Sequence, residues 1–288
     1  MPGSLDSINR ANSSLKKEDD TLLSDESLKS IITRLENDIS DGSWIYTNYV
    51  SADIKMMPAL VDQANNKYPE MNLKFITTPQ DLPIAIKNAI DDGIESSRLI
   101  TNMGDRGTHF SIIDYKIVNN KTSLVLFEPT TFNGLGSAML ALRTKMAIEC
   151  YQLPDCYFSL VEMDIQRSSS ECGIFSLALA KKLYLESDKL EKIHKDNIDG
   201  VLCERGATLS HEKLDKYLPA NFYKHTQSIN RLNEYVKSNP EAENKIINKK
   251  NETIFERFNN NLVVINDKSL SISSHKKRIS EYKSLIKS

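Results

Sequence analysis

No apolar stretch in this sequence approaches the roughly 18 residues that a helix needs to cross a bilayer, and the N-terminus lacks the charged-then-apolar layout of a secretory signal. No membrane segment is expected. Cysteine is sparse: Cys150, Cys156, Cys172 and Cys203 form no CxxC pair and have no histidine at metal-ligand spacing, which argues against a zinc site or a disulfide framework. A large charge of one sign is also missing. The formal net charge of -2 argues against a dedicated nucleic-acid binder, while leaving room for local basic patches. What is present is the composition of a soluble globular protein, 40% hydrophobic and 26% charged over 288 residues, enough for one large domain or a core with an appended lobe.

Residues 1–22 are rich in Ser, Asn, Asp and Lys with few large apolar side chains, which reads as a disordered leader. "SDESLKSIITRLENDISDG" then starts at a Ser24 N-cap, sets Leu28, Ile31, Ile32, Leu35 and Ile39 on one helical stripe, and closes near Gly42. Further helices are expected at 58–66, with Pro58 in the first turn, and at 80–92 and 137–149. Strands are expected at 98–103, 109–117, 122–127 and 157–165, where β-branched and aromatic residues are bounded by Gly, Pro and Asn. From about residue 190 the chain is mainly polar, with helical stripes at 226–237, 251–259 and 274–287, and no internal repeat is present.

The segment "QRSSSECGIF" sets a cysteine at the junction of a polar, hydroxyl-rich loop and an apolar run. "IFSLALAKKLYL" is apolar nearly all round, as in a buried helix, and Cys172 stands at its first turn. There the unpaired N–H groups and the positive end of the helix dipole favour a thiolate, the nucleophilic form. Gly173 is expected to leave room for a substrate carbonyl beside the sulfur. An inert buried thiol is the alternative reading.

A cysteine nucleophile needs a base, and the base needs an orienting group. Of five histidines, His194, His211, His225 and His275 lie in polar contexts and read as solvated surface residues. His109 instead opens an alternating strand after the turn "GDRGT". Asn119-Asn120 suits a type I′ hairpin turn. If those two residues are the whole turn, Ser111 opposes Glu128, and His109 lies diagonal to Glu128 on the same face, where a carboxylate can hold the imidazole.

The order His109, Glu128, Cys172, with Gln166 in "QRSSSECG", is similar to that of ubiquitin-like-protein-specific cysteine proteases. A longer match, through "DISDGSW", "QANNKYPEMNL", "LFEP", "QLPDCYFSLVEMDIQRSSSECGIFSLALAKKL", "FYKHTQ" and "NKKNET", resembles the YopJ/AvrA family of type III secretion effectors over about residues 24–288. The resemblance implies a secreted protein of the host cell cytoplasm that transfers acetyl from acetyl-CoA to serine, threonine and lysine of host signalling proteins such as MAP kinase kinases. It also implies activation by inositol hexakisphosphate and an acetyl-cysteine intermediate on Cys172, with His109 as base, Glu128 orienting it and Gln166 lining the oxyanion hole.

Candidates for contact with acetyl-CoA are Arg167, Ser168, Lys181, Lys182, Lys224, His225, Thr226, Gln227 and Arg231. For the inositol phosphate they are Arg34, Lys249, Lys250, Arg257, Lys276, Lys277 and Arg278, since a polyphosphate needs several converging cations. The expected fold is α/β (α+β), with a papain-like, ubiquitin-like-protease-type catalytic core at 43–222 around a mixed or antiparallel sheet. A helical regulatory lobe would combine residues 24–42 with 223–288, behind a leader at 1–23. No metal is implied. Two other functions fit the same residues: a deubiquitinating or ubiquitin-like-protein protease, and a non-catalytic decoy that binds host kinases.

Overall fold

The computed structural model describes residues 25–104, 107–204, 207–265 and 267–286; the expected leader and Ser24 cap lie outside them. Helix α1 (Asp25–Asp41) buries Leu28, Ile32 and Leu35 and stops at Gly42, whose φ of 79° glycine adopts without strain. Helix α2 runs over Val50–Lys67, so it begins eight residues before the expected start and carries Pro58 inside it. The proline removes one hydrogen bond. Buried Val50, Met56 and Met57 before it, and Leu60, Val61 and Ala64 after it, offset that loss by packing.

The sheet comprises β1 (Leu73–Ile76), β2 (Ser96–Asn102), β3 (Phe110–Val118), β4 (Lys121–Glu128), β5 (Cys156–Glu162) and β6 (Thr208–Leu209), adjacent in sequence order. It is mixed: β1 runs parallel to β2, β3 is antiparallel to both its neighbours, and β4, β5 and β6 are parallel. β1 and β6 are the sheet strands that sequence periodicity missed, being only four and two residues long. Helices α3 (Leu82–Asp91) and α4 (Leu135–Tyr151) make the crossovers and cover one face with Ile86 and Ile148 against Leu99, Ile113, Leu124 and Leu126. The other face, with Ile100, Ile112, Val125, Phe127 and Val161, packs on α2 and on α5 (Cys172–Leu185).

The rest of the chain folds onto that second face through α6 (Glu191–Ile198), α7 (His211–Leu214), α8 (Ile229–Ser238), α9 (Ile254–Asn259), a hairpin of β7 (Leu262–Ile265) and β8 (Lys268–Ser271), and α10 (Ser273–Ile286). The hairpin was not expected from the polar sequence. Helices α1 and α10 pack on each other, and their Leu35, Ile279 and Tyr282 belong to the same core as α5. Helix α10 also packs directly on α5, the helix that carries Cys172. Among the described residues no helix is long and apolar enough to cross a membrane.

Candidate active site

The β3–β4 hairpin turns at Asn119 and Asn120, with φ of 51° and 61°, as a type I′ turn requires. Its register pairs Val118 with Lys121 and Ile112 with Phe127, which brings Ser111 opposite Glu128 as expected. Ser111 Oγ donates to Glu128 Oε2 at 2.6 Å, and His109 Nε2 lies 2.9 Å from the same oxygen. Thr130 donates to Oε1 through its backbone N (2.9 Å) and its Oγ1 (2.7 Å). Four partners therefore hold a fully buried carboxylate, as its desolvation demands. Ser111 and Thr130 were not singled out in the sequence as holders of Glu128; the signal available was their spacing, one across the hairpin and one two residues after the acid.

The His109 carbonyl accepts from Asn102 Nδ2 at 2.9 Å, and Gly136 at the start of α4 lies against the ring. Cys172 opens α5, with Sγ donating to the Thr108 carbonyl oxygen at 3.6 Å and close enough to the imidazole to act on its charge. Burial opposes a charged ring there, but the Glu128 charge, then the neighbouring Cys172 thiol and the hydrogen bond that the ring donates to Glu128, outweigh it and raise the His109 pKa to about 10. The segment that follows β5 is tied to the end of β4: Met163 N donates to the Glu128 carbonyl, and Ile165 N and Gln166 N donate to that of Pro129. Gln166 is buried and donates through Nε2 to the Ser168 carbonyl at 2.7 Å.

A carboxylate, an imidazole and a thiol at a helix N-terminus form a cysteine-nucleophile arrangement. The profile of the YopJ serine/threonine acetyltransferase family matches residues 28–284. The chain belongs to that family. It is 62% identical over 287 residues to the serine/threonine-protein acetyltransferase YopJ of Yersinia pestis, covering all of both chains. Among solved structures, an AvrA deletion variant with IP6 and CoA superposes with a TM-score of 0.88 at 58% identity, covering 92% of this chain and 100% of that one. HopZ1a in complex with IP6 and CoA gives 0.70 at 19% identity, covering 84% and 87%, a likeness of fold. The architecture is the ubiquitin-like-protease-type α/β fold of these proteins, and the activity of a YopJ-family member is serine/threonine acetyl transfer.

Within this YopJ-family fold the other expected site residues take unequal positions. Arg167 is exposed, with its guanidinium forked onto Asp164 at 2.7 and 2.9 Å. Ser168 and Gln227 are buried together, the Gln227 Oε1 accepting from the Ser168 backbone N at 2.9 Å. Arg231 is not presented to solvent: it is 1% exposed, bonded to Asp215 and to the Met163 carbonyl. Arg278 is fully buried between Asp53 and Glu171, so the run Lys276, Lys277, Arg278 is divided by the helix, with Lys276 exposed, Lys277 half-buried and Arg278 inside. Thr226 Oγ1 is buried without a partner. Arg34 is exposed on α1 and stacks over the Tyr49 ring, while Lys249 and Lys250 are exposed ahead of α9.

Three of the histidines read as solvated are buried. His194 bonds Asp114 and Ser123, His225 Nδ1 lies 2.7 Å from Ser273 Oγ, and His275 Nε2 lies 2.9 Å from the Leu35 carbonyl oxygen. A polar sequence neighbourhood hides them because their partners come from other elements. Gly173 is also reassigned. A Cβ there would sit 2.8 Å from Asp53 Oδ2, so the glycine makes room for α2 rather than for a substrate carbonyl.

The structure gathers cations from both expected ligand sets into one cluster. Burial first, then the nearby charges of Lys182, Lys277 and Arg257, push the Lys224 ammonium down to about 8. The same four cations hold the buried His225 well below the usual imidazole range, after burial itself. Lys181 and Lys277 meet Glu281 at the cluster's edge. His225 Nε2 and Arg257 Nε have no hydrogen-bond partner.

Proposed function

We propose that acetyl transfer proceeds through Cys172. The supporting observation is the His109 imidazole, set between a buried, fourfold hydrogen-bonded Glu128 and the thiol at the N-terminus of a buried helix. A protonated ring opposite the sulfur and the unpaired N–H groups of the first turn of α5 favour the thiolate. The thiolate attacks the acetyl thioester of acetyl-CoA; CoA thiolate leaves, and the acyl group is carried on Sγ. His109, through the ring nitrogen not used by Glu128, hands its proton to the leaving sulfur and then takes one from the acceptor hydroxyl or lysine amine as that group attacks the acetyl-cysteine. First-turn N–H groups of α5 stabilise the oxyanion in both halves, joined by the free amide hydrogen of Gln166.

The cluster of Lys182, Lys224, Arg257 and Lys277 fits inositol hexakisphosphate. Mutually repelling, half-buried cations with orphaned donors beside them are costly until a polyanion enters. Lys276, Lys249, Lys250 and Arg34 are exposed and remain candidates for further contact with it. Arg167 remains the cation nearest the nucleophile in sequence and is assigned to the CoA phosphates. In this reading residues 43–222 are the catalytic core, residues 24–42 and 223–288 form the regulatory lobe, and residues 1–23 are the secretion leader. The protein acts after type III secretion, in the host cell cytoplasm, on MAP kinase kinases and related signalling kinases.

The test is incubation of the full chain with labelled acetyl-CoA, inositol hexakisphosphate and a MAP kinase kinase. Label is expected on serine or threonine of the kinase, lost in Cys172→Ala. Full activity of Cys172→Ala would remove the thiol from the mechanism. Cleavage of a ubiquitin-like reporter without acetyl transfer would make the protein a protease, and neither activity would make it a decoy.

A further inference from the structure

The residues on either side of Cys172 are packed into a buried cluster assembled from α2 and α10. Glu171, the N-cap of α5, makes no capping hydrogen bond with its side chain. Its Oε2 instead accepts from Ser168 Oγ at 3.1 Å, from Gln227 Nε2 and from Ser274 Oγ, and its Oε1 lies 3.4 Å from His275 Nδ1 and 3.5 Å from Arg278 Nη1. On the other flank, Gly173 lies against Asp53 of α2. Asp53 is bonded by Arg278 Nε and Nη2, each at 3.0 Å, and by Tyr282 Oη at 2.6 Å. Arg278 Nη2 also donates to the Ser170 carbonyl at 2.6 Å. One guanidinium, 106 residues beyond the thiol in sequence, therefore touches the residue before Cys172, the residue before that, and the carboxylate packed on the residue after it.

We propose that Arg278 is a positioning residue for the nucleophile: from the C-terminal helix it bridges Glu171 and Asp53 and so fixes the turn that presents Cys172 to His109. Its effect has two parts. Geometrically, the planar fork holds two carboxylates and a carbonyl in one arrangement, which a flexible ammonium does not reproduce. Electrostatically, Arg278 neutralises part of a two-carboxylate environment that would otherwise oppose a thiolate. The charged and titratable groups around the Cys172 turn are His109 just before β3, Glu128 of β4, Asp53 from α2, Glu171 in the turn itself, and His275, Arg278 and Tyr282 from α10. This assignment rests on Cys172 as the nucleophile.

The experiment measures, in the full chain, alkylation of Cys172 by iodoacetamide against pH, with the modified residue mapped, alongside kcat and KM for acetyl-CoA. In Arg278→Met the pH midpoint of alkylation should rise by about one unit, the low end for loss of a neighbouring opposite charge, and the rate at neutral pH should fall about tenfold. Adding Glu171→Gln should bring the midpoint back toward the wild-type value. In Arg278→Lys, which keeps the charge without the fork, the midpoint should hold while kcat falls at unchanged KM. Unchanged midpoint in a folded Arg278→Met, or an unchanged kcat in Arg278→Lys, overturns the proposal; should Arg278→Met fail to fold, the lysine variant decides alone. Failure of the underlying reading looks different, since Cys172→Ala would then retain acetyl transfer whatever position 278 does.

Discussion

Replacing Gly173 with alanine distinguishes a glycine that admits substrate from one that admits Asp53. The added methyl would lie 2.8 Å from Asp53 Oδ2, 3.0 Å from its Cβ and 3.2 Å from its Cγ, so the two must separate by about 0.6 Å to reach ordinary contact at 3.4 Å. Asp53 has little freedom to move. It is 2% exposed and bonded by Arg278 twice and by Tyr282. Overpacking of this kind costs about 1–3 kcal/mol, and alanine returns about 0.5–1 kcal/mol through its better helix propensity, leaving a net loss of about 1 kcal/mol from the middle of those ranges. For a chain of this size each kcal/mol moves Tm by about 2–4 °C, so thermal denaturation of the full chain should show a drop of about 2–4 °C, with acetyl transfer reduced as well. A Tm equal to or above that of the wild type would mean that position 173 faces open space and that Asp53 is not fixed against the nucleophile's turn.

The His109 pKa, raised to about 10 from an ordinary value near 6.5, makes the charged ring stabilising below about 6.5 and removes that contribution as pH rises toward 10. Glu128→Gln should flatten the fall of Tm across that window and leave reduced acetyl transfer, because an amide holds the ring without its charge; parallel Tm curves and equal rates would remove the carboxylate's role. Lys224 carries the opposite sign: with its pKa lowered to about 8, its charge costs stability at neutral pH, and that cost disappears as pH rises from 8 toward the unfolded value. Lys224→Gln should therefore raise Tm at pH 7 while weakening inositol hexakisphosphate about tenfold, the weight of one charge-assisted hydrogen bond. Calorimetric titration checks the affinity, and a lowered Tm or an unchanged Kd would place the polyanion elsewhere.

The sequence by itself determined what depends on near neighbours. The type I′ turn at Asn119-Asn120 sets the register of β3 on β4, and the two-residue period of strands then brings His109, Ser111 and Glu128 to one face without reference to the rest of the molecule. The apolar run after Cys172 likewise declared a buried helix with the thiol at its start. The long quoted motifs carried the family. The tertiary structure decided which charges meet. Lys276, Lys277 and Arg278 are consecutive, yet the helical turn sends Arg278 into Asp53 and Glu171 while Lys277 joins Lys182, Lys224 and Arg257. The buried histidines and the neighbour of Gly173 were hidden for the same reason, their partners lying 48 to 240 residues away. A charged side chain reads alike in sequence whether solvated or paired, because the difference lies in what packs over it, and no local pattern records that.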